Sequence, residues 1–249
     1  MEPLKRDTTK KPDYGIDAPG VVRNLLLISI ALLIGSSIAR LFSSPWQYSL
    51  FWTGISMTAS GLLMLTYSKW GKLLHRDRML RIHSWRGDEQ VLDVGAGRGL
   101  LLVGAAKRLT SGHATGIDIW KASDLSGNSP QCTERNLARE GVAHRCTLLS
   151  ENAAEMSFAD ETFDVVLSNL CLHNISDRAT RRKAVREIAR VLKPGGQAIL
   201  SDFKNTAGYA RELRQAGMEV KRLWPNLLTT FPPLRIVVAR KPPYGKTSG

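Results

Sequence analysis

The stretch Val91-Leu92-Asp93-Val94-Gly95-Ala96-Gly97-Arg98-Gly99 constrains this chain more than any other. A short apolar run meets an acidic residue and then glycines at every second position, and residues 100–109 continue in a helical pattern. A strand that feeds a glycine-rich turn and a helix is how a parallel α/β sheet presents backbone to a nucleotide-like ligand. The glycines supply dihedrals that a Cβ forbids and leave bare backbone for the ligand to approach. The dinucleotide fingerprint requires its third glycine one place beyond Gly99, where Leu100 stands. The loop therefore points to a nucleotide-type ligand other than NAD.

Strand and helix signals alternate after this loop, as a parallel sheet with crossover helices demands. Strands are expected at 91–94, 114–119, 146–150, 163–169 and 198–202. Helices are expected at 100–109, from Pro130 onward, at 178–192 and at 209–216. Lys193-Pro194-Gly195-Gly196 is expected to stop the third of these. Residues 219–224 and 234–240 read as a closing antiparallel pair, with Pro225, Pro232 and Pro233 confining the loop between them.

The chain ahead of the loop is of another kind. Residues 1–20 are polar and carry Pro3, Pro12, Pro19, Gly15 and Gly20, which reads as a flexible or surface-lying arm. No charge then occurs between Arg23 and Arg40, nor between Arg40 and Lys69. Two membrane-spanning helices, about 21–42 and 46–68, are the expectation, each near the ~20 residues that cross the hydrocarbon core. Pro45 breaks them apart, and Trp46, Tyr48, Trp52, Tyr67 and Trp70 lie toward the ends of the second, as interfacial aromatics do. Gly35, Ser36, Ala39, Gly54, Ser60 and Gly61 would let the two helices approach closely. A soluble buried hairpin and a hairpin dipping into one leaflet are the alternatives; the polar residues ahead argue against a signal peptide. Lys5, Arg6, Lys10, Lys11 and Arg23 precede the first segment, and Lys69, Lys72, Arg76, Arg78, Arg81 and Arg86 follow the second. The positive-inside rule puts both termini and the domain that follows on the cytoplasmic side of an integral membrane protein. Residues 69–88 read as a basic amphipathic linker helix lying along that face, with His75 and His83 as surface residues.

Five features now stand in order: Asp93-x-Gly95-x-Gly97-x-Gly99, Asp118, Asn152-Ala153, Phe163-Asp164-Val165-Val166, and Leu192-Lys193-Pro194-Gly195-Gly196. In this order they resemble class I S-adenosylmethionine-dependent methyltransferases over about residues 86–240. The resemblance implies an α/β, Rossmann-like, seven-stranded and mostly parallel sheet with helices on both faces, here preceded by an N-terminal transmembrane helical hairpin. The catalytic domain would occupy residues 89–241, with 242–249 as a tail. S-adenosylmethionine would be the cofactor and S-adenosylhomocysteine its product. The resemblance assigns cofactor binding to Asp93, Gly95, Ala96, Gly97, Gly99, Asp118, Ile119, Trp120, Asn152, Ala153 and Asn169. Asp93 would order the loop and reach the methionine ammonium, directly or through water. Asp118, about 20 residues past the loop, can accept hydrogen bonds from both ribose hydroxyls. Asn152 would meet the adenine edge, where many relatives carry Asp, and Trp120 and Met156 are candidates to flank the ring.

Residues 168–175 face the place where acceptor and cofactor meet in this family. They lack the Asn-Pro-Pro-Tyr-type pattern of nucleic-acid amine methyltransferases. His173 is a candidate general base, since imidazole titrates near neutrality, with substrate or structural packing as the alternative; Asp202 is a pocket-edge candidate of the same rank. Cys171 invites a thiol or metalloid reading, but arsenic-type relatives need several placed cysteines. Cys132, Cys146 and Cys171 show no ligand-like spacing, so no metal is expected. The net charge of +13 admits nucleic acid or an anionic membrane surface as partner. The apolar hairpin and the missing amine motif favour anionic head groups. The expectation is thus a membrane-anchored methyltransferase acting on a lipophilic or membrane-associated small molecule. A membrane-tethered S-adenosylmethionine-binding scaffold without catalysis, and a methyltransferase of soluble small molecules, are the alternatives.

Overall fold

The computed structural model describes residues 11–244; Lys5, Arg6, Lys10 and the end of the expected tail lie outside them. A seven-stranded mixed sheet forms the centre of the region that follows residue 89. Its strands are β1 (Gln90–Val94), β2 (His113–Asp118), β3 (Cys146–Ser150), β4 (Phe163–Asn169), β5 (Leu192–Asp202), β6 (Glu219–Arg222) and β7 (Arg235–Arg240), in the spatial order β3-β2-β1-β4-β5-β7-β6. The first five are parallel, and β7 runs antiparallel between β5 and β6. Alternation along each strand sends neighbours to opposite faces. Leu92 and Val94 pack with Ile188 and Leu213 in one core, and Val91 with Leu80, Leu102 and Ile199 in the other. Between the sheet's first four strands run α4 (Leu100–Ala106) and α5 (Pro130–Arg139); α6 (Arg178–Val191) precedes β5 and α7 (Thr206–Gln215) follows it. The chain steps outward from β1 through β2 to β3 and then crosses back to β4 on the other side of β1, a reversal that opens a crevice at the carboxyl ends of β1 and β4.

Ahead of the sheet, α1 (Pro19–Leu41) and α2 (Trp46–Thr66) form an antiparallel pair. Both are long and apolar enough to cross a membrane, and little of either is buried within the chain. Gly54 and Gly61 are buried where Leu33 and Leu26 press against them, so close that added Cβ atoms would stand 2.9 Å from each leucine. Ser36 Oγ donates to the Gln47 carbonyl across the pair at 2.8 Å. A π-helical turn, Tyr67–Gly71, joins α2 to α3 (Lys72–Leu80).

Several expectations change here. The linker is helical only as far as Leu80, not through residue 88. It is a docked helix as well as a basic one, because Met79 and Leu80 are wholly buried in the second core. His75 is not a surface residue: it is fully buried, with Nε2 2.6 Å from Ser201 Oγ on β5. His83 is also largely covered, with Nδ1 3.1 Å from Gln197 Oε1. The polar arm is tied down where it is described. Tyr14 is buried and donates to Glu140, and the Lys72 ammonium donates to the carbonyls of Tyr14 and Gly15. The helix α6 ends where expected, but Lys193–Gly196 form a bulge inside β5 rather than a separate turn. The register passes from Leu192 opposite Phe163 to Gln197 opposite Val165, with Gly195 at φ +80°.

Candidate active site

A cavity of about 820 Å³ opens at the carboxyl ends of the parallel strands, within the size range of small-molecule sites. Gly95 and Gly97 line it from the turn after β1, Asp118 and Ile119 from the end of β2, Asn152 and Ala153 from the loop after β3, and Asn169 from the end of β4. These seven expected cofactor residues are thus brought together. Gly95, Gly97 and Gly99 all have positive φ, which explains the glycines residue by residue. The turn is fixed from below, since Ile117 O accepts the N–H groups of both Gly95 and Ala96.

Asp118 Oδ2 accepts the Gly97 amide at 2.8 Å and Oδ1 accepts the Trp120 amide at 2.6 Å. Oδ1 also accepts the Asn128 side-chain amide at 3.3 Å, so Oδ2, with a single donor here, is the oxygen best placed to accept a further hydrogen bond from a ribose hydroxyl. Asn152 Oδ1 accepts the Ala154 amide at 2.9 Å, which leaves its NH₂ as the free donor. Asn169 Oδ1 is buried without a partner among the described residues, and so is the Tyr67 hydroxyl beside the same cavity.

Other expected residues stand elsewhere. Ala96 and Gly99 shape the turn but do not line the cavity. Trp120 is not on the wall either; its indole donates to Ser150 Oγ at 2.8 Å, holding the ring toward β3. Met156 is buried in the first core and is not on the cavity wall. Asp93 is buried beneath the loop and does not reach the wall. Neither of its oxygens completes a hydrogen bond among the described residues. Burial pushes its pKa up to about 7, the nearby Asp118 charge adds to this, and the first-turn amide of Leu102 offsets part of it without good bonding geometry.

His173 lines the cavity, from the short 3₁₀ turn Leu172–Asn174 after β4. Its Nδ1 stands 2.9 Å from Asp202 Oδ1, close enough for an ion pair though off the line of a straight hydrogen bond. Asp202 is not at the pocket edge as expected; it is buried behind the imidazole. There it accepts from the Tyr209 hydroxyl at 3.0 Å and from the His173 and Phe203 amides. Phe203 packs edge-on against the imidazole. Cys171 also lines the cavity, but burial and the charges of Asp118 and Asp202 hold its thiol well above the usual range. It is a neutral thiol packed on Gly95, not an activated nucleophile.

One wall was not foreseen. Asp17 and Ala18 just ahead of α1, Val21 in its first turn, Met64 near the end of α2, and Tyr67 and Ser68 in the π turn line the same cavity as the glycine turn. Asp17 fixes this wall: its amide donates to Ser68 Oγ, its carboxylate accepts from Ser68 and Lys72, and it bridges to Leu125. The sequence carried one signal for it, an acid just before a long apolar helix.

Set on this geometry, the comparisons with known proteins agree. Residues 92–200 match a family model described as a methyltransferase domain. The ubiquinone/menaquinone biosynthesis C-methyltransferase UbiE of Vibrio campbellii is 33% identical over 120 residues, covering 47% of this chain and 42% of the relative. The chain thus spans under half the length of that curated relative. A S-adenosylmethionine-dependent methyltransferase of Methanosarcina mazei superposes with a TM-score of 0.53 at 20% identity, covering 66% of this chain and 97% of that one. Phosphoethanolamine N-methyltransferase 2 of Haemonchus contortus, solved with S-adenosylmethionine, gives 0.55 at 17% identity over 70% and 53% of the two chains. The two structures establish the fold: a Rossmann-like methyltransferase architecture. With the family match, residues 92–200 form a S-adenosylmethionine-dependent methyltransferase domain.

Proposed function

We propose that this chain is a membrane-anchored methyltransferase whose acceptor is a lipophilic small molecule. The observation that carries the reading is the shared wall: Val21, Met64 and Tyr67, at the base of the apolar hairpin, line the same cavity as the glycine turn and His173. An acceptor dissolved in a bilayer would meet that wall first. The Vibrio relative's name places it in quinone biosynthesis, and a lipid-soluble quinone-type ring is one acceptor class of suitable chemistry.

The residues present fit the cofactor. Gly95 and Gly97 hold positive φ and expose backbone at the cavity, Asp118 Oδ2 can accept from a ribose hydroxyl, and Asp93 lies buried just beneath the turn with no cation against it among the described residues. When bound, S-adenosylmethionine supplies a methyl group already activated on a sulfonium. The protein's task is therefore alignment more than activation. Gly95 and Gly97 would set the depth of the bound molecule, Asp118 its ribose, and Asn152 the adenine edge. His173 is placed to take the proton from an acceptor that must lose one, and Asp202 would hold the imidazole in orientation and stabilise its charged form. The cationic clusters at 69–86 and along α6 would favour anionic head groups at the cytoplasmic face.

The test is incubation of the full-length protein in detergent with labelled S-adenosylmethionine and a total membrane lipid extract, followed by mass analysis. A lipid-soluble product carrying the label is the expected result. Labelling of water-soluble acceptors alone would overturn the lipophilic reading. Cofactor binding without any release of S-adenosylhomocysteine would favour a scaffold.

A further inference from the structure

The connection between β6 and β7 is exposed, apolar and held rigid. Residues 223–234 carry no charge, while Lys221, Arg222 and Arg235 flank them. Trp224, Leu227 and Leu228 are 86%, 71% and 96% exposed. Such residues at a loop tip cost solubility without contributing to either core.

The tip is nevertheless built. The Asn226 carboxamide oxygen accepts the amides of Leu228 and Thr229, both at 3.2 Å, and the Asn226 amide donates to the Leu234 carbonyl at 2.8 Å. Thr230, buried beneath, donates to the Asn226 carbonyl and accepts the Leu234 amide. Leu227 and Leu228 are thereby held outward by a closed set of hydrogen bonds.

Its position gives the tip a partner. The Thr229 carbonyl lies over Gly71, at the end of the π turn that continues α2; a Cβ at Gly71 would stand 2.3 Å from that oxygen. Further along the same loop, Phe231 and Pro232 line the candidate active-site cavity, as do Val21 and Met64 of the hairpin. The loop therefore joins the base of the apolar hairpin to the rim of the cavity.

We propose that this loop is a second membrane-contacting element, inserting Trp224, Leu227 and Leu228 into the head-group region of the leaflet in which the hairpin is anchored. The inference rests on the membrane reading of that hairpin. An uncharged apolar tip with cationic flanks suits an anionic interface, because the side chains bury while the cations meet lipid phosphates. Two attachments, hairpin and loop, would fix the tilt of the domain and turn the cavity rim toward the bilayer.

The test reconstitutes the full chain in vesicles of phosphatidylcholine and phosphatidylglycerol containing nitroxide-labelled lipid. An environment-sensitive fluorophore is placed in turn at Leu228→Cys, at Ile38→Cys in the exposed surface of α1, and at Glu134→Cys on α5. The unsubstituted chain gives the background from its own cysteines. Loss of emission at 228 and 38, but not at 134, is the expected result. Loss at 38 with 228 behaving like 134 would overturn the loop proposal and leave the anchor standing. No loss at either site would overturn both. All three positions are solvent-exposed, so the labels leave the cores intact.

Discussion

Substitution of Gly95 by alanine tests the construction of the loop most directly. Gly95 has φ +77°, and an added Cβ would stand 2.3 Å from both Cβ and Sγ of Cys171. Two costs follow. Holding alanine in the left-handed region costs about 1–2 kcal/mol, and forcing a methyl group into occupied space costs about 1–3 kcal/mol. For a chain of this length each kcal/mol lowers Tm by roughly 2–4 °C, so a fall on the order of 10 °C is expected, with weakened cofactor binding. The two costs separate in a double-mutant cycle with Cys171→Gly, which removes both opposing atoms. Against that background Gly95→Ala should lose only the backbone part, about 1–2 kcal/mol. Thermal unfolding in mild detergent and calorimetric titration with S-adenosylmethionine read out both effects. An unchanged Tm for Gly95→Ala would refute the geometry of the turn. An equal cost in both backgrounds would refute the part assigned to Cys171.

Asp93, with its pKa near 7, should make cofactor affinity depend on pH. An ammonium bound at the loop above it would favour the ionised carboxylate through space, so binding should release a proton and tighten between pH 5.5 and 7, by at most ~10-fold per unit; Asp93→Asn should flatten this slope in calorimetric titrations. Without ligand the sign for stability is opposite. The folded state holds the extra proton between the ordinary carboxylate range and pH 7, so stability falls as pH rises through that window, and chemical denaturation of the Asn variant should lack the fall. If His173 is the base, His173→Ala should lower kcat by about 10²–10⁴ with the cofactor Kd unchanged, while Asp202→Asn should reshape the pH–rate profile. A variant that changes only KM for the acceptor would assign His173 to binding instead. Leu80→Ala should cost about 2–5 kcal/mol, because Leu80 is wholly buried and seats α3 against Gly104; a loss too small to measure by denaturant titration would show that α3 is not part of the core.

Much of this molecule is written in local sequence. The strands and the glycine turn were legible because burial on both faces demands continuous apolar runs, and positive φ demands glycine. Asp118 was legible through its distance from the loop, and the hairpin through its lack of charge. Other residues were misplaced because their roles depend on neighbours far away in sequence. His75 reads as one more polar residue in a basic helix until β5 brings Ser201 to its imidazole. Trp120 and Met156 sit at suggestive positions, yet Ser150 takes the indole and the first core takes the thioether. Asp202 looked like a pocket residue, and only the turn holding His173 put an imidazole between it and the cavity.

Periodicity, charge and glycine spacing thus determined the α/β sheet, the cofactor loop and the apolar hairpin, since each is set by the conformations and burial of neighbouring residues. The tertiary structure alone decided that these parts share one cavity. Asp17, Tyr67 and Phe231 are far apart in the chain, and they converge because the π turn, the Lys72–Asp17 pair and the packing of Gly71 under Thr229 draw the hairpin base against the sheet. No local pattern encodes that convergence, because it depends on which surfaces fit once the elements exist.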